Sequence, residues 1–206
     1  MSAAQLLLVA AAYLLGAIPF GLLFTRWLTG KDPRQFGSGN IGATNASRTG
    51  GKKVGLLTLA ADIIKGVIPV AIAVQFVNSG SGNEWLIAAT AVAAFLGHVY
   101  PVYLGFKGGK GVATMFGVLI PWQPIAGLIA FAAWLIAIWL SRYVALASIL
   151  AGLTLPIAAW LLGASAAAIY ACVFFCILMT LRHQSNIQRL LAGTENRVGG
   201  STKRAE

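Results

Sequence analysis

The chain has 206 residues, of which 58% are hydrophobic and only 10% charged, with fifteen Lys and Arg set against five acids for a formal charge of +10. Apolar residues fall in long runs between short polar clusters, a pattern that excludes a water-soluble core and describes a chain dissolved in a bilayer. The excess of cations attracts anions, whether lipid headgroups or a substrate.

Apolar runs between breakers predict helices over residues 3–28, 54–77, 84–103, 111–121, 125–141, 144–162 and 164–181. The fold expected is all-α: a polytopic helical integral membrane protein with about seven transmembrane helices, arranged as one domain over residues 1–197 with a short flexible cytoplasmic tail at 198–206. Arg26 follows the first apolar run rather than preceding it, so that run is expected to remain as a span and not to be cleaved as a signal peptide. The run at 111–121 covers only about 16 Å at 1.5 Å per residue, so it reads as a short or re-entrant helix.

With the N-terminus outside and the C-terminus cytoplasmic, every Lys and Arg except Lys65 lies on the inner side or caps the inner end of a span. The outer segments carry none, as the positive-inside rule requires. Cys172 and Cys176 stand four apart in an apolar helix. That is neither a metal spacing nor a redox CxxC, so they read as packing residues.

Three polar segments fall on that inner side. The first, Gly37-Ser38-Gly39-Asn40-Ile41-Gly42-Ala43-Thr44-Asn45-Ala46-Ser47-Arg48, contains a formal GxGxxG. A membrane helix precedes it instead of a strand, which argues against a dinucleotide fingerprint. It reads as a loop whose glycines let backbone N–H groups approach a phosphate, with Arg48 able to clamp one bidentately.

The second segment runs from Gly97 and His98 through Lys107-Gly108-Gly109-Lys110-Gly111. Its lysines feed the N-terminus of the short helix at 111, where unpaired N–H groups and the macrodipole favour an anion. The third, Arg182-His183-Gln184-Ser185-Asn186-Ile187-Gln188-Arg189, follows the last span and runs on to Glu195. It places Arg182, Asn186 and Arg189 on one face of a single helix. Asp62 and Lys65, three apart within the second span, are expected to pair.

Together GSGNIGATNASR, GHVYPVYLGFKGGKGVAT and RHQSNIQRLLAGTE resemble the three signature segments of the bacterial acyl-phosphate:glycerol-3-phosphate acyltransferases, the PlsY family, in order and spacing. The resemblance implies transfer of an acyl chain from acyl phosphate to the 1-hydroxyl of sn-glycerol 3-phosphate, giving lysophosphatidic acid and inorganic phosphate, at the start of phospholipid synthesis. It implies a bacterial cytoplasmic (inner) membrane location with the active site facing the cytoplasm, and a functional link to a soluble enzyme that supplies acyl phosphate. Membrane lipids surround the protein, and no nucleic acid, cofactor or metal is expected. Oligomeric state is left open.

By the same resemblance Ser38, Arg48, Lys107, His183 and Asn186 are the catalytic group. Gly37, Gly39, Asn40, Thr44, Asn45, Gly108, Gly109 and Lys110 bind substrate, and His98, Asp62 and Lys65 support the site. Where many members carry Ser-Leu-Ala-Ser, this chain has Ala145-Leu146-Ala147-Ser148, so no hydroxyl is available at position 145. Two alternatives stand beside this reading: a membrane transporter of a small phosphorylated or organic anion, and an acyl-enzyme route through Ser38 with His183 as base.

Overall fold

The computed structural model describes residues 1–199, and all regular structure among them is helical. The tail beyond Gly199, with Lys203 and Arg204, lies outside the described residues. Ten α-helices follow in order: α1 (Ala3–Ala17), α2 (Phe20–Thr29), α3 (Ala43–Gly50), α4 (Lys52–Asn78), α5 (Glu84–Val99), α6 (Val112–Leu119), α7 (Pro124–Ser141), α8 (Val144–Leu161), α9 (Ala166–Arg182) and α10 (Gln184–Leu191).

Among the described residues, five helical stretches are long and apolar enough to cross a bilayer: Ala3–Thr29, Lys52–Asn78, Glu84–Leu104, Pro124–Ser141 and Val144–Leu161. A sixth is counted when α9 and α10, bent by 58° where they meet, are taken as one span. The short run at 111–121 resolves into α6, whose eight residues rise only about 12 Å.

The first predicted span is a correction in detail, because 3–28 is not one helix. It is α1 and α2, broken at Ile18 and Pro19. Proline lacks the N–H that would close the helical ladder, and it biases the residue before it to extended backbone; Ile18 is extended, at φ −61° and ψ 118°. The polar stretch between the first two spans is likewise more ordered than a loop: a 3-10 turn forms at Pro33–Gln35, and the end of the GxGxxG segment becomes α3.

The chain forms two compact units, Met1–Pro124 and the segment from Ile125 onward. In the first, α4 packs against α1, α2, α3, α5 and α6, and α1 packs along α5. Small residues permit these approaches: a Cβ on Gly16 or Gly97 would collide with the backbone of the facing helix, as would one on Gly66 or Gly117 between α4 and α6. Lipid tails are as apolar as any side chain, so helices in a bilayer associate by such close van der Waals contact.

In the second unit α8 packs against α9, and α10 touches both. The chain after α10 returns to the α7–α8 turn. Arg197 Nε donates to the Tyr143 hydroxyl at 2.9 Å, and the Val198 amide donates to the Arg142 carbonyl at 2.8 Å. Val198, the first residue of the expected tail, is therefore tied to the helical body.

Candidate active site

In the first polar segment, Asn45 is the organiser. It sits in the first turn of α3 and is 2% exposed. Its side-chain NH2 donates to the carbonyls of Pro33 (2.7 Å), Phe36 (3.1 Å) and Asn40 (2.8 Å), and its Oδ1 accepts from the Ser38 amide at 3.0 Å. Gly37 and Gly39, at φ 57° and 67°, occupy the left-handed region on either side of Ser38. The result is a tight loop that presents an exposed Ser38, closed at its far end by Asn40 Oδ1 accepting from the Gly42 amide at 2.8 Å.

Gly42 starts α3 without a side-chain cap, which leaves the Ala43 and Thr44 amides for another acceptor, while the Asn45 amide donates to the Gly42 carbonyl at 3.1 Å. Thr44 and Arg48 are exposed on α3, and among the described residues the Arg48 guanidinium has neither an ion-pair nor a hydrogen-bond partner. Neighbouring cations differ. Arg26 and Arg34 both reach Asp32 at 2.7 Å. The Arg34 guanidinium holds the Asp32 carboxyl well below the usual carboxylate range. That contribution is in place above about pH 4 and is lost only as pH falls through the depressed value.

The second polar segment folds back on the end of α5. The Gly108 amide donates to the Val99 carbonyl at 3.2 Å and the Gly109 amide to the His98 carbonyl at 3.0 Å. Lys107 is exposed and its ammonium has no partner among the described residues. Gly111 then opens α6, again without a side-chain cap. Two helices of this unit, α3 and α6, thus begin at a bare glycine, the arrangement in which a helix N-terminus accepts an anion.

Below this surface Asp62 and Lys65 pair at 2.8 Å, as their spacing predicts. Lys65 also donates to the Ile18 carbonyl at 3.0 Å. His98 is buried with its Nδ1 3.6 Å from Asp62 Oδ1.

His183 and Asn186 belong to the second unit. His183 forms the bend between α9 and α10, and its Nδ1 lies 2.8 Å from the Met179 carbonyl. A carbonyl only accepts, so Nδ1 carries the proton and Nε2 is the basic nitrogen of the neutral ring. Asn186 Nδ2 donates to Glu195 Oε1 at 2.8 Å and Arg189 Nε to Glu195 Oε2 at 2.7 Å. The single face expected for Arg182, Asn186 and Arg189 is corrected: the 58° bend leaves Arg182 at the end of α9, while the other two share α10 and are held by Glu195. Ser148 is buried, bonded to Val144 and Trp134, so its hydroxyl is already engaged.

Two of these roles escape a reading by residue type. Asn45 read as one more polar residue of a phosphate loop, and Glu195 as the end of a motif. The one available signal for Glu195 was its being one of only five acids in a cationic chain. With its side chain 6% exposed between two partners, Glu195→Ala is expected to cost about 2 kcal/mol and lower the melting temperature in detergent by about 4–8 °C. A differential scanning fluorimetry trace matching wild type would show that the clamp contributes nothing. Among the described residues no three His, Cys, Asp or Glu side chains gather closely enough to hold a metal.

Residues 6–193 match the family model described as glycerol-3-phosphate acyltransferase. A protein of that name from Syntrophotalea carbinolica is 47% identical over 191 residues, covering 93% of this chain and 96% of the relative. Another, from Sinorhizobium fredii, is 48% identical over 197 residues, covering 95% and 93%. Among solved structures, the glycerol 3-phosphate form of PlsY (YgiH), an integral membrane glycerol 3-phosphate acyltransferase, superposes with a TM-score of 0.90 at 43% identity, covering 95% of this chain and 96% of that one. The lysophosphatidic acid form gives 0.87 at 41% identity.

Proposed function

The chain belongs to the glycerol-3-phosphate acyltransferase family of PlsY, a family of multi-pass membrane enzymes, and we propose on that footing that it acylates the 1-hydroxyl of sn-glycerol 3-phosphate with acyl phosphate as donor. The products are lysophosphatidic acid and inorganic phosphate. The observation that carries this reading is the Asn45-clamped loop, which exposes Ser38 and leads into α3 with its unpaired Arg48. Two phosphate-bearing substrates require cations and backbone donors that no internal carboxylate has already neutralised.

In this mechanism the glycerol hydroxyl oxygen attacks the acyl carbonyl carbon and the bond from that carbon to the phosphate oxygen breaks. The hydroxyl proton ends on the departing phosphate, and His183, with its basic Nε2, is assigned a catalytic role within the second unit. Acyl phosphate is already activated, so orientation and charge stabilisation suffice for the rate. Arg48 and Lys107 hold phosphate oxygens and offset the charge that develops there; the Ser38, Gly39, Gly108 and Gly109 amides, already donating to Asn45 Oδ1 and to the carbonyls of Phe36, Val99 and His98, shape the two loops instead of binding phosphate. Ser38 orients a substrate oxygen. Asn45 acts through the loop it holds, and Asn186 is assigned a catalytic role within the second unit.

The site faces the cytoplasm, the N-terminus lies outside, and residues 1–197 work as one acyltransferase domain. A soluble enzyme supplies the acyl phosphate. The cation distribution supports this orientation, since among the predicted outer segments none contains Lys or Arg.

The test is phosphate release by purified protein in lipid mesophase, given palmitoyl phosphate with and without glycerol 3-phosphate, with the lipid product identified by mass spectrometry. Release that depends on both substrates and yields lysophosphatidic acid is expected. Transfer from acyl-CoA but not from acyl phosphate would overturn the donor assignment. Inactivity with both donors would overturn the proposal.

A further inference from the structure

Acyl transfer as proposed makes no use of the buried ionic group in the first unit. Asp62, Lys65 and His98 are each no more than 4% exposed. Ionisable groups at membrane depth are costly, and they persist where partners satisfy them. Lys65 is met by Asp62 Oδ1 at 2.8 Å and by the Ile18 carbonyl at 3.0 Å, with the Phe20 ring 5.7 Å away. That carbonyl is available because Pro19 breaks the helix next to it.

Asp62 Oδ1 also faces His98 Nδ1 at 3.6 Å, within ion-pair range of a protonated ring but beyond hydrogen-bond distance. His98 in turn is the floor on which the second polar segment lies. Its carbonyl accepts the Gly109 amide, and a Cβ on Gly109 would overlap the imidazole ring itself. A Cβ on Gly108 would overlap the His98 carbonyl and Pro101, and one on Gly111 the Phe95 ring one turn earlier in α5. The glycine run therefore lies directly against α5, and the ring of His98 sets its height there. Lys107 and Lys110 flank the two glycines.

We infer that Asp62 and His98 are positioning residues for the Lys107–Lys110 segment. Asp62, anchored by Lys65 to the α1–α2 break, orients the His98 ring, and the ring fixes how the segment presents its lysines to a phosphate-bearing substrate. The inference rests on the acyltransferase reading for what the segment binds, and on geometry alone for what holds it.

The experiment compares full-length wild type with Asp62→Asn, His98→Gln and the double variant, by hydrogen exchange and by steady-state kinetics. Amides in the 107–111 segment are expected to exchange about tenfold faster in each variant, with α1 and the outer half of α4 unchanged. The kcat/KM for glycerol 3-phosphate is expected to fall about tenfold, because the displaced segment carries Lys107. Because Asp62 acts through His98, the double variant should be no worse than His98→Gln alone.

Unchanged exchange in the segment, an unchanged kcat/KM, or additive losses in the double variant would each overturn the inference. If Asp62→Asn does not fold, His98→Gln alone decides it by the same exchange and kcat/KM criteria. If wild type turns over neither donor, the acyltransferase reading fails while the exchange comparison still decides the positioning role.

Discussion

Asn45→Asp is expected to lower kcat/KM at least about 100-fold, because a misplacement of about 1 Å at a reacting group costs that much. The substitution is isosteric, which makes the test clean. The wild-type amide shares two N–H groups among the carbonyls of Pro33, Phe36 and Asn40, and accepts from Ser38 with its oxygen. In the variant an oxygen replaces the donor and faces three carbonyl oxygens at what were hydrogen-bonding distances. A buried polar group deprived of its partner costs about 1–3 kcal/mol, and more where charge is involved.

The loop relieves that repulsion by opening, which moves Ser38 and the amides beside it. Asn45→Ala should be milder, since water can enter from the exposed side and meet the released carbonyls. Kinetics of the two variants, with hydrogen exchange over residues 36–42, check the order. Wild-type turnover by Asn45→Asp would show that the clamp does not shape the site.

Arg48→Ala and Lys107→Ala are each expected to reduce kcat/KM by about 10²–10³, the usual cost of removing one donor aimed at developing charge. Melting temperatures should stay at the wild-type value. Both side chains are exposed and partnerless among the described residues, so their loss breaks nothing that stabilises the fold. Arg48→Lys should recover only part of the loss, because an ammonium keeps the charge but not the planar fork. Lys203→Ala, in the tail, should retain full activity. Equal losses at Arg48, Lys107 and Lys203 would mean that overall charge, and not a site, draws in the substrate.

These two predictions separate what residue types announce from what they conceal. Arg48 and Lys107 read as candidate phosphate ligands because a cation beside glycines suits an anion, and both stand exposed without a partner among the described residues. Asn45 stood in the same motif and read as one more ligand, but burial turns it inward. Its amide has both donors and an acceptor, so it can knit a loop of mixed carbonyls and amides as no hydroxyl or carboxylate can. Residue type names the available chemistry, whereas burial decides whether that chemistry faces a substrate or the protein's own backbone.

The helices show the same division. Apolar runs and positive charge located the long membrane-crossing stretches, because transfer into hydrocarbon depends on local composition and each span must satisfy its own backbone hydrogen bonds. The Asp62–Lys65 pair was readable for a similar reason, since three residues apart on a helix is contact distance. The break at Pro19 was not placed by the apolar run, which continues straight through it. The α9–α10 bend at His183 likewise separated Arg182 from residues that a continuous helix would have aligned with it.

By itself, then, the sequence determined the class of solvent, the approximate position of the long apolar spans, and the family through three motifs. Each of these depends on local composition or on the identity and order of residues. Tertiary structure alone decided that Lys65 reaches the Ile18 carbonyl, that Asp62 faces His98, that His98 underlies Gly109, and that Glu195 ties Asn186 to Arg189. The first three of these join residues on different elements, and the last depends on how the chain turns after α10. Composition carries no record of which partners a folded chain brings within 3 or 4 Å of each other, so such links become visible only once the helices are packed.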